Sequence, residues 1–230
     1  MNSKESKRLA IKKLFIETAS DIINEKGIEN ITIRKVAQIT EYNSATLYSY
    51  FDNLDHLIFL ASLNQLKEYT GAIELYINEV NSPLLKAMKI WECFMHYSLK
   101  NPKIYHTLFF NKREKDLNRY LIEYKKIFSD NPLSSVFGIA SPSGIHERSD
   151  YVLAEAVEKK EILAEDISEL NEMMMYIYQG LLSQVIYDPF TKTDKLENRF
   201  FKYMIRIFES YGSPLVRNKI RNLKQKDKKF

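Results

Sequence analysis

The chain has 230 residues, of which 45% are apolar and 28% are charged, and its formal net charge is +4. No apolar run approaches the roughly 20 residues that a membrane-spanning helix needs, so a membrane protein is not expected. Cys93 is the only cysteine, which excludes an internal disulfide framework, and the polar start from Met1 to Arg8 does not resemble a secretory signal. These features predict a cytoplasmic protein.

Glycine and proline are scarce, with six of each. Most of them lie between segments of helical periodicity, where they would end one helix or begin the next. The sequence therefore predicts an all-α protein with few turns.

The first periodic segment extends from about residue 11 to Lys26. Gly27 is expected to end this helix in a left-handed conformation, because apolar Ile28 follows it. The residues predicted to form the buried face recur at i, i+3, i+4 and i+7: Ile11, Leu14, Phe15, Thr18, Ala19, Ile22 and Ile23.

Residues 32 to 57 encode two short helices joined by a tight turn, followed by the start of a third helix. Thr32, Asn43 and Asn53 are suitable N-caps, because their side-chain oxygens can accept hydrogen bonds from helix amides. The expected inward residues are Ile33, Val36, Ala37, Leu47 and Phe51. Small or hydrogen-bonding residues are left outside, as in a helix-turn-helix that reads DNA: Ser44, Ala45, Thr46, Tyr48 and Tyr50.

Longer amphipathic segments follow, separated by proline, asparagine or glycine. A loop is expected at 129–146, and Asp166 to Ser168 are expected to cap a long helix. The predicted helices span about 54–80, 83–100, 102–110, 114–128, 147–160, 168–187 and 194–211.

Both ends of the chain are basic. Residues 1–13 carry five cations against Glu5, and residues 217–230 carry seven against Asp227. Beside a DNA-reading element the first group is expected to neutralise phosphates. The second group is expected to be an unstructured tail.

The segment from Ile11 to Leu57 resembles the N-terminal domain of the TetR family of bacterial transcriptional regulators. The likeness is carried by the long first helix, by Thr32 to Ala37, and by the run Leu47 to Phe51 about ten residues later. A weaker likeness covers Ala154 to Lys160, a short helix before the final long pair. The implied organisation is a DNA-binding domain at 1–53, a larger helical domain for effector binding and dimerisation at 54–214, and a basic tail at 215–230.

The resemblance implies a role for individual residues of this segment. Ser44, Ala45 and Thr46 would approach base edges, and Tyr48 would contact the backbone or a thymine methyl. Asn43 caps the reading helix, and Thr32, Arg34 and Tyr50 would contact phosphates. The spacing alone leaves open that Tyr48 and Tyr50 are aromatic residues of the core and its rim.

Two positions depart from the family pattern. Glu41 occupies the usual place of a turn glycine, so the turn needs another conformation or a strained positive φ. Leu54 occupies the usual place of a lysine, which removes one phosphate contact and leaves His56 or the N-terminal lysines to replace it.

The resemblance also implies a homodimer formed through residues 168–187 and 194–211, which places two reading helices in successive major grooves of a pseudo-palindromic operator. A small apolar or aromatic effector would bind among adaptable side chains and release the DNA. The expected lining is Trp91, Phe94, Met95, Tyr105, Phe109, Tyr120, Tyr124, Met173, Tyr176 and Gln179.

Alternatives remain open at the level of sequence. A DNA-binding regulator or activator without a small-molecule effector, acting through a protein partner, fits the first 57 residues equally well. An enzyme is not expected, because the histidines are scattered and no phosphate-binding glycine loop appears. Cys93 and His96 have no third ligand nearby, so neither a metal nor a cofactor is expected.

Overall fold

A computed structural model gives the fold and describes residues 3–110, 114–128, 153–188 and 190–226. Within these ranges the regular structure is entirely helical, which confirms the predicted all-α class. The loop expected at 129–146 lies outside the described residues.

Three of the first four helices, α2 to α4, begin directly after the predicted capping residues. Thr32, Asn43 and Asn53 accept hydrogen bonds from the amides of Lys35, Thr46 and His56, at 3.1, 2.8 and 2.9 Å. These caps confirm the predicted helix starts. The helices are α1 (Ser3–Lys26), α2 (Ile33–Ile39), α3 (Ser44–Tyr48) and α4 (Leu54–Asn64), with a 3-10 turn at Ile28–Asn30 between α1 and α2.

The remaining helices agree with the predictions at some boundaries and differ at others. Ser82 caps α6 as expected, by accepting from the amide of Leu85 at 3.3 Å. The helices are α5 (Lys67–Ile77), α6 (Pro83–Lys100), α7 (Pro102–Phe110), α8 (Glu114–Ile127), α9 (153–158), α10 (Asp166–Tyr187), α11 (Thr193–Tyr211) and α12 (Pro214–Lys226).

Three sequence predictions about these elements are wrong. The helix expected over 54–80 is interrupted at Gln65 and Leu66, where the chain forms a turn. Asp166 to Ser168 do not cap α10, because that helix begins at Asp166. The tail is not unstructured: Pro214–Lys226 is helical, since Val216 and Ile220 are both 0% exposed and give it an apolar face.

The described residues form two compact units. The first joins the chain up to Lys67 with the segment from Lys103 to Phe128, so α7 and α8 belong with α1 to α4. The second contains residues 68–102 and the described part of the chain after residue 153. The expected functional division into residues 1–53, 54–214 and 215–230 stays a prediction.

The core of the first unit is centred on Phe15, which is completely buried. Its ring makes edge-to-face contacts with Tyr42, Tyr50 and Phe51, with centroids 5.1, 5.4 and 6.2 Å apart. Leu14, predicted to be buried, is instead 42% exposed. The other predicted inward residues of α2 and α3 are buried, namely Ile33, Val36, Ala37 and Leu47.

The core of the second unit consists of aromatic side chains from α5, α6, α10 and α11. Phe94 contacts Tyr69, Trp91 and Tyr178, with ring centroids 5.4, 5.9 and 4.9 Å apart. The Tyr178 hydroxyl donates to Ser98 Oγ at 2.9 Å, and Ser98 donates to the Phe94 carbonyl. This cluster therefore contains a satisfied polar pair among apolar rings.

Glu41 adopts the strained positive φ, which is one of the two conformations that the sequence left open. Its φ is +60°, in the left-handed region. The Tyr42 amide donates to the Ala37 carbonyl, and the Glu41 amide donates to the Gln38 carbonyl. These two bonds are those of a Schellman motif, whose left-handed position favours glycine. Gly27 has φ +85° but ψ +157°, so its φ is positive as expected while α1 does not end in the left-handed helical conformation.

We expect Glu41→Gly to raise the free energy of unfolding by about 1 kcal/mol, because glycine adopts a positive φ without the clash of a Cβ atom. Urea denaturation followed by circular dichroism measures the change. The matched control is Gln38→Gly on the exposed side of α2, which should lower stability by about 1 kcal/mol, as glycine does within a helix. Equal losses in both variants would contradict the strain at Glu41.

Candidate functional site

The site begins with α3, a helix of only five residues that separates its side chains into two sets. Leu47 is completely buried, whereas Tyr48 is 61% exposed and Ala45 is also exposed. Ser44 and Thr46 are half-buried. This helix therefore presents small side chains and one tyrosine on its outer side, the types that suit the floor of a DNA groove.

Asn43 fixes the start of α3 through its side chain. Its Oδ1 accepts from the Thr46 amide at 2.8 Å and from the Thr46 hydroxyl at 2.9 Å. Because this oxygen is occupied within the helix, Asn43 orients Thr46. Its structural role is that of a cap.

The start of α2 carries two further predicted residues on the surface. Thr32 and Arg34 are both exposed, and the Thr32 hydroxyl oxygen accepts from the Lys35 amide. Lys35 itself donates to the Asn30 carbonyl at 2.8 Å. Arg34 thus extends from a capped helix start, where its guanidinium can reach a phosphate.

Tyr50 is half-buried, with one face covered by the N-terminal helix. The Arg8 guanidinium lies 4.8 Å above its ring, and Arg8 also donates to the Ser49 carbonyl at 2.8 Å. The basic start of the chain is part of α1 and not a loose arm. Of its cations, Lys4 and Lys7 are exposed, whereas Lys12 is buried.

His56 lies in the interior of the first unit and is only 2% exposed. Its Nδ1 accepts from the Asp52 amide at 3.2 Å, so the ring proton lies on Nε2 and is donated to Glu123 Oε2 at 2.8 Å. Its ring stacks on Tyr120 at 3.9 Å between centroids. With both nitrogens bonded inside the protein, His56 has no atom left for a phosphate and does not replace the lysine absent at Leu54.

Glu123 joins His56 to Lys12 and was not singled out from the sequence. Its second carboxylate oxygen accepts from the Lys12 ammonium. Burial alone would raise the pKa of Glu123, but hydrogen bonds from His56 and Lys12 hold that pKa below its usual value. Burial lowers the pKa of Lys12, although Glu123 opposes this effect. No sequence signal identifies this cluster, because the pattern of α8 does not reveal which helices it contacts.

The ten residues expected around an effector belong to both units. Trp91, Phe94 and Met95 are buried in the second unit. Met173, Tyr176 and Gln179 lie on the exposed side of α10, where Tyr176 is 65% exposed. The four others belong to the first unit: Tyr105, Phe109, Tyr120 and Tyr124. Their spacing along the sequence gave no indication of this division.

Sequence reasoning missed Tyr178 and Ser98, which lie inside the aromatic cluster of the second unit. Tyr178 is completely buried, while its neighbours Tyr176 and Gln179 face outward. The periodicity of α10 contained the signal, because Leu170, Met174 and Leu181 share the buried side with Tyr178.

His96 and Cys93 of the second unit differ in their surroundings. His96 pairs with Glu197, with 2.9 Å between Nδ1 and Oε1, and burial raises the pKa of the Cys93 thiol to about 12. Among the described residues, no group of three His, Cys, Asp or Glu side chains could hold a metal ion, and no helix could span a membrane.

Comparisons with known proteins agree with this geometry. A family model described as bacterial regulatory proteins of the tetR family matches residues 15–60. These residues include α2 and α3, the second half of α1 and most of α4. None of the curated proteins matches the chain.

Several solved structures share the fold. A tetR-family regulator from Mesorhizobium loti is 11% identical with a TM-score of 0.57, over 90% of this chain and 99% of that one. A TetR/AcrR-family regulator from Thermobifida fusca is 16% identical with a TM-score of 0.54, over 85% and 96%. The fatty acid degradation regulator FadR from Bacillus halodurans is 16% identical with a TM-score of 0.51, over 84% and 93%.

These identities are low, so the structural likeness shows the fold, and the family model adds the sequence pattern of the DNA-reading segment. The two agree on one assignment. Residues 15–60 match the DNA-binding domain of the tetR family of bacterial regulatory proteins, and the chain shares its fold with solved structures of TetR-family regulators.

Proposed function

We propose that the protein is a homodimeric repressor that binds a pseudo-palindromic operator and is released by a small apolar or aromatic molecule. The observation that carries this proposal is the outer side of α3. Ala45 and Tyr48 are exposed there, while Leu47 on the inner side of the same helix is completely buried. Such a helix fits a major groove, and two copies one helical turn apart would read two half-sites.

The proposed DNA surface combines three parts of the first unit. Ser44, Ala45 and Thr46 face base edges, and Tyr48 contacts a thymine methyl or the sugar-phosphate backbone. Thr32, Arg34 and Tyr50 contact phosphates, and the exposed Lys4 and Lys7 add positive charge. Asn43 acts by holding the start of α3, and His56 is left out of this surface because it is buried.

We expect Tyr48→Ala to weaken operator binding about tenfold, since a lost base or backbone contact typically costs about 1 to 3 kcal/mol. Fluorescence anisotropy with a footprinted operator measures the affinity, and circular dichroism measures the melting temperature. The melting temperature should stay within a few degrees, because the side chain is exposed.

Tyr48→Phe is the matched variant that separates the ring from the hydroxyl. In a reporter with the operator over the promoter, the unchanged protein should lower transcription and Tyr48→Ala should not. Loss of the folded protein in Tyr48→Ala would identify the tyrosine as a core residue. Higher transcription with the unchanged protein would exclude repression.

The proposed dimer interface uses the outer sides of α10 and α11. Met173, Tyr176 and Gly180 lie on the exposed side of α10, and a Cβ atom at Gly180 would meet nothing within 4 Å. The charges of α10 are all acidic, and Glu169 and Glu172 are exposed. The exposed charges of α11 are mainly basic, with four cations against Asp194: Lys195, Arg199, Lys202 and Arg206. In a two-fold dimer, α10 of one protomer can face α11 of the other, so these charges would be complementary.

We expect Tyr176→Glu to shift the protein from dimer to monomer, because it adds an unpaired charge to an apolar contact and a fourth acidic group to α10. Sedimentation equilibrium measures the mass, and operator affinity should fall with it. Leu75→Glu is the matched control, since Leu75 is 82% exposed on α5, outside the proposed interface. A Tyr176→Glu variant that remains dimeric would place the interface elsewhere.

The proposed effector site is the aromatic cluster around Trp91, Phe94 and Tyr178 in the second unit. Large rings provide an apolar lining, and the Ser98 and Tyr178 hydroxyls supply a polar anchor at 2.9 Å from each other. Met95 remains part of this proposal because it is buried beside these residues in α6. Met173, Tyr176 and Gln179 are assigned to the dimer interface instead.

We expect an effector in this cluster to change the emission of Trp91, the only tryptophan of the chain. Dodecanoate and 1-naphthol are suitable probes, since each combines an apolar body with one polar group. Binding should also reduce operator affinity by roughly 5- to 150-fold. Tyr178→Phe should weaken binding of the active probe and leave operator affinity without probe unchanged. Probes that quench Trp91 without changing operator affinity would favour a regulator that senses no small molecule.

A further inference from the structure

The connection from α3 to α4, residues 49–53, has three backbone groups that form hydrogen bonds with side chains of α1 and α4. The Ser49 carbonyl accepts from Arg8, and the Tyr50 carbonyl accepts from the Lys12 ammonium at 2.6 Å. After buried Phe51, the Asp52 amide donates to His56 Nδ1 at 3.2 Å. Because this connection directly follows Tyr48, its position determines where the C-terminal end of α3 lies.

Two of those backbone contacts depend on one carboxylate of α8. Glu123 accepts from Lys12 through one oxygen and from His56 through the other, the latter at 2.8 Å. Lys12 bonds the chain before Phe51, and His56 bonds it after Phe51. Glu123 therefore fixes the two side chains that hold the connection on both sides of its buried ring.

Two neighbours of Glu123 on α8 strengthen the same contact. Arg119 forms an ion pair with the Asp52 carboxylate, and the Tyr120 hydroxyl donates to that carboxylate at 3.3 Å. The Tyr120 ring also lies flat against the imidazole of His56, at an interplanar angle of 11°. One side of α8 thus contacts the connection directly and through His56.

The buried charges of this cluster are bonded within the protein. Lys12 is 6% exposed, so burial opposes its charge, while its bonds to Glu123 and to the Tyr50 carbonyl favour that charge. Replacing both members of such a pair with uncharged groups is often neutral for stability, whereas removing one member leaves a buried charge unpaired. The Lys12 ammonium nevertheless bonds the Tyr50 carbonyl, and an apolar side chain cannot form such a bond.

We propose that Glu123 is a positioning residue for DNA reading, which holds the C-terminal end of α3 through Lys12 and His56. It contacts no DNA itself, because it acts from α8 through buried side chains. This role rests on the proposed reading of the operator by α3. It makes α8 part of the DNA-reading machinery, so any displacement of α8 would alter the fit of α3 to its half-site.

The test is the double variant Lys12→Met with Glu123→Gln in the full chain. One positive and one negative charge are removed, so the net charge and the long-range attraction to DNA stay the same. The replacement at position 12 also removes the ammonium that donates to the Tyr50 carbonyl. Three quantities are measured: the melting temperature, the affinity for a footprinted operator, and the affinity for a duplex of scrambled sequence.

We expect operator affinity to fall about tenfold, while scrambled-duplex affinity, its salt dependence and the melting temperature stay near those of the unchanged protein. The ratio of the two affinities is the decisive readout, since a purely structural role would change it only together with the melting temperature. Lys159→Met with Glu155→Gln is the matched control. It removes an exposed pair of 2.7 Å from the second unit and should change none of the three quantities.

Each other outcome has a definite meaning. A double variant that binds the operator like the unchanged protein would overturn the positioning role. If the double variant does not fold, Glu123→Asp decides, because it keeps the charge but is too short to reach both partners. A stable Glu123→Asp variant with unchanged operator affinity would also overturn the role. Failure of the unchanged protein to prefer any operator would instead overturn the proposed function.

Discussion

A helix of five residues cannot maintain itself in water, so the reading helix α3 depends on what holds its two ends. At its start, Asn43 bonds the Thr46 amide, and in its middle Leu47 is buried completely. At its end the chain enters a connection held by Arg8 and Lys12 from α1. The proposed reading of DNA by α3 depends on those few contacts, because α3 has too few hydrogen bonds of its own to resist displacement.

The contacts at the two ends of α3 are of different physical kinds. The start uses local hydrogen bonds between residues three positions apart, which form as soon as the helix forms. The end uses groups that are distant in sequence, including the Glu123 carboxylate 111 positions after Lys12. The start of α3 is therefore fixed by the segment itself, whereas its end is held by α1 and, through Lys12 and His56, by α8. If Glu123 has the proposed positioning role, a change in the packing of α8 moves the end of α3 while its start stays capped.

This difference also explains how far the sequence alone could lead. The caps at Thr32, Asn43 and Asn53 and the buried face of α2 were predictable, because each depends on residues within one or two turns. The burial of His56 was not predictable, since its partners Tyr120 and Glu123 lie far along the chain. The helical tail was missed for a related reason. Its many cations suggested solvation, and only the packed structure reveals that Val216 and Ile220 are buried.

Strained backbone occurs twice among the described residues outside glycine, and both cases end a helix in the same way. Lys160 has φ +54°, and the bonds from Lys160 to Val157 and from Glu161 to Ala156 repeat the motif seen at Glu41. The second turn fixes contacts to two other helices. It places Glu161, whose carboxylate accepts from the Ser82 hydroxyl and the Leu84 amide at the start of α6. The Glu161 carbonyl also accepts from the Ser213 amide, just before α12. One strained residue therefore orients a side chain and a carbonyl that join three helices, so its strain is offset by contacts elsewhere. At Glu41 the residue that follows is Tyr42, whose ring contacts Phe15 with centroids 5.1 Å apart, so this turn positions a side chain against the core. Glycine can form the same turn without the strain of a Cβ atom at positive φ.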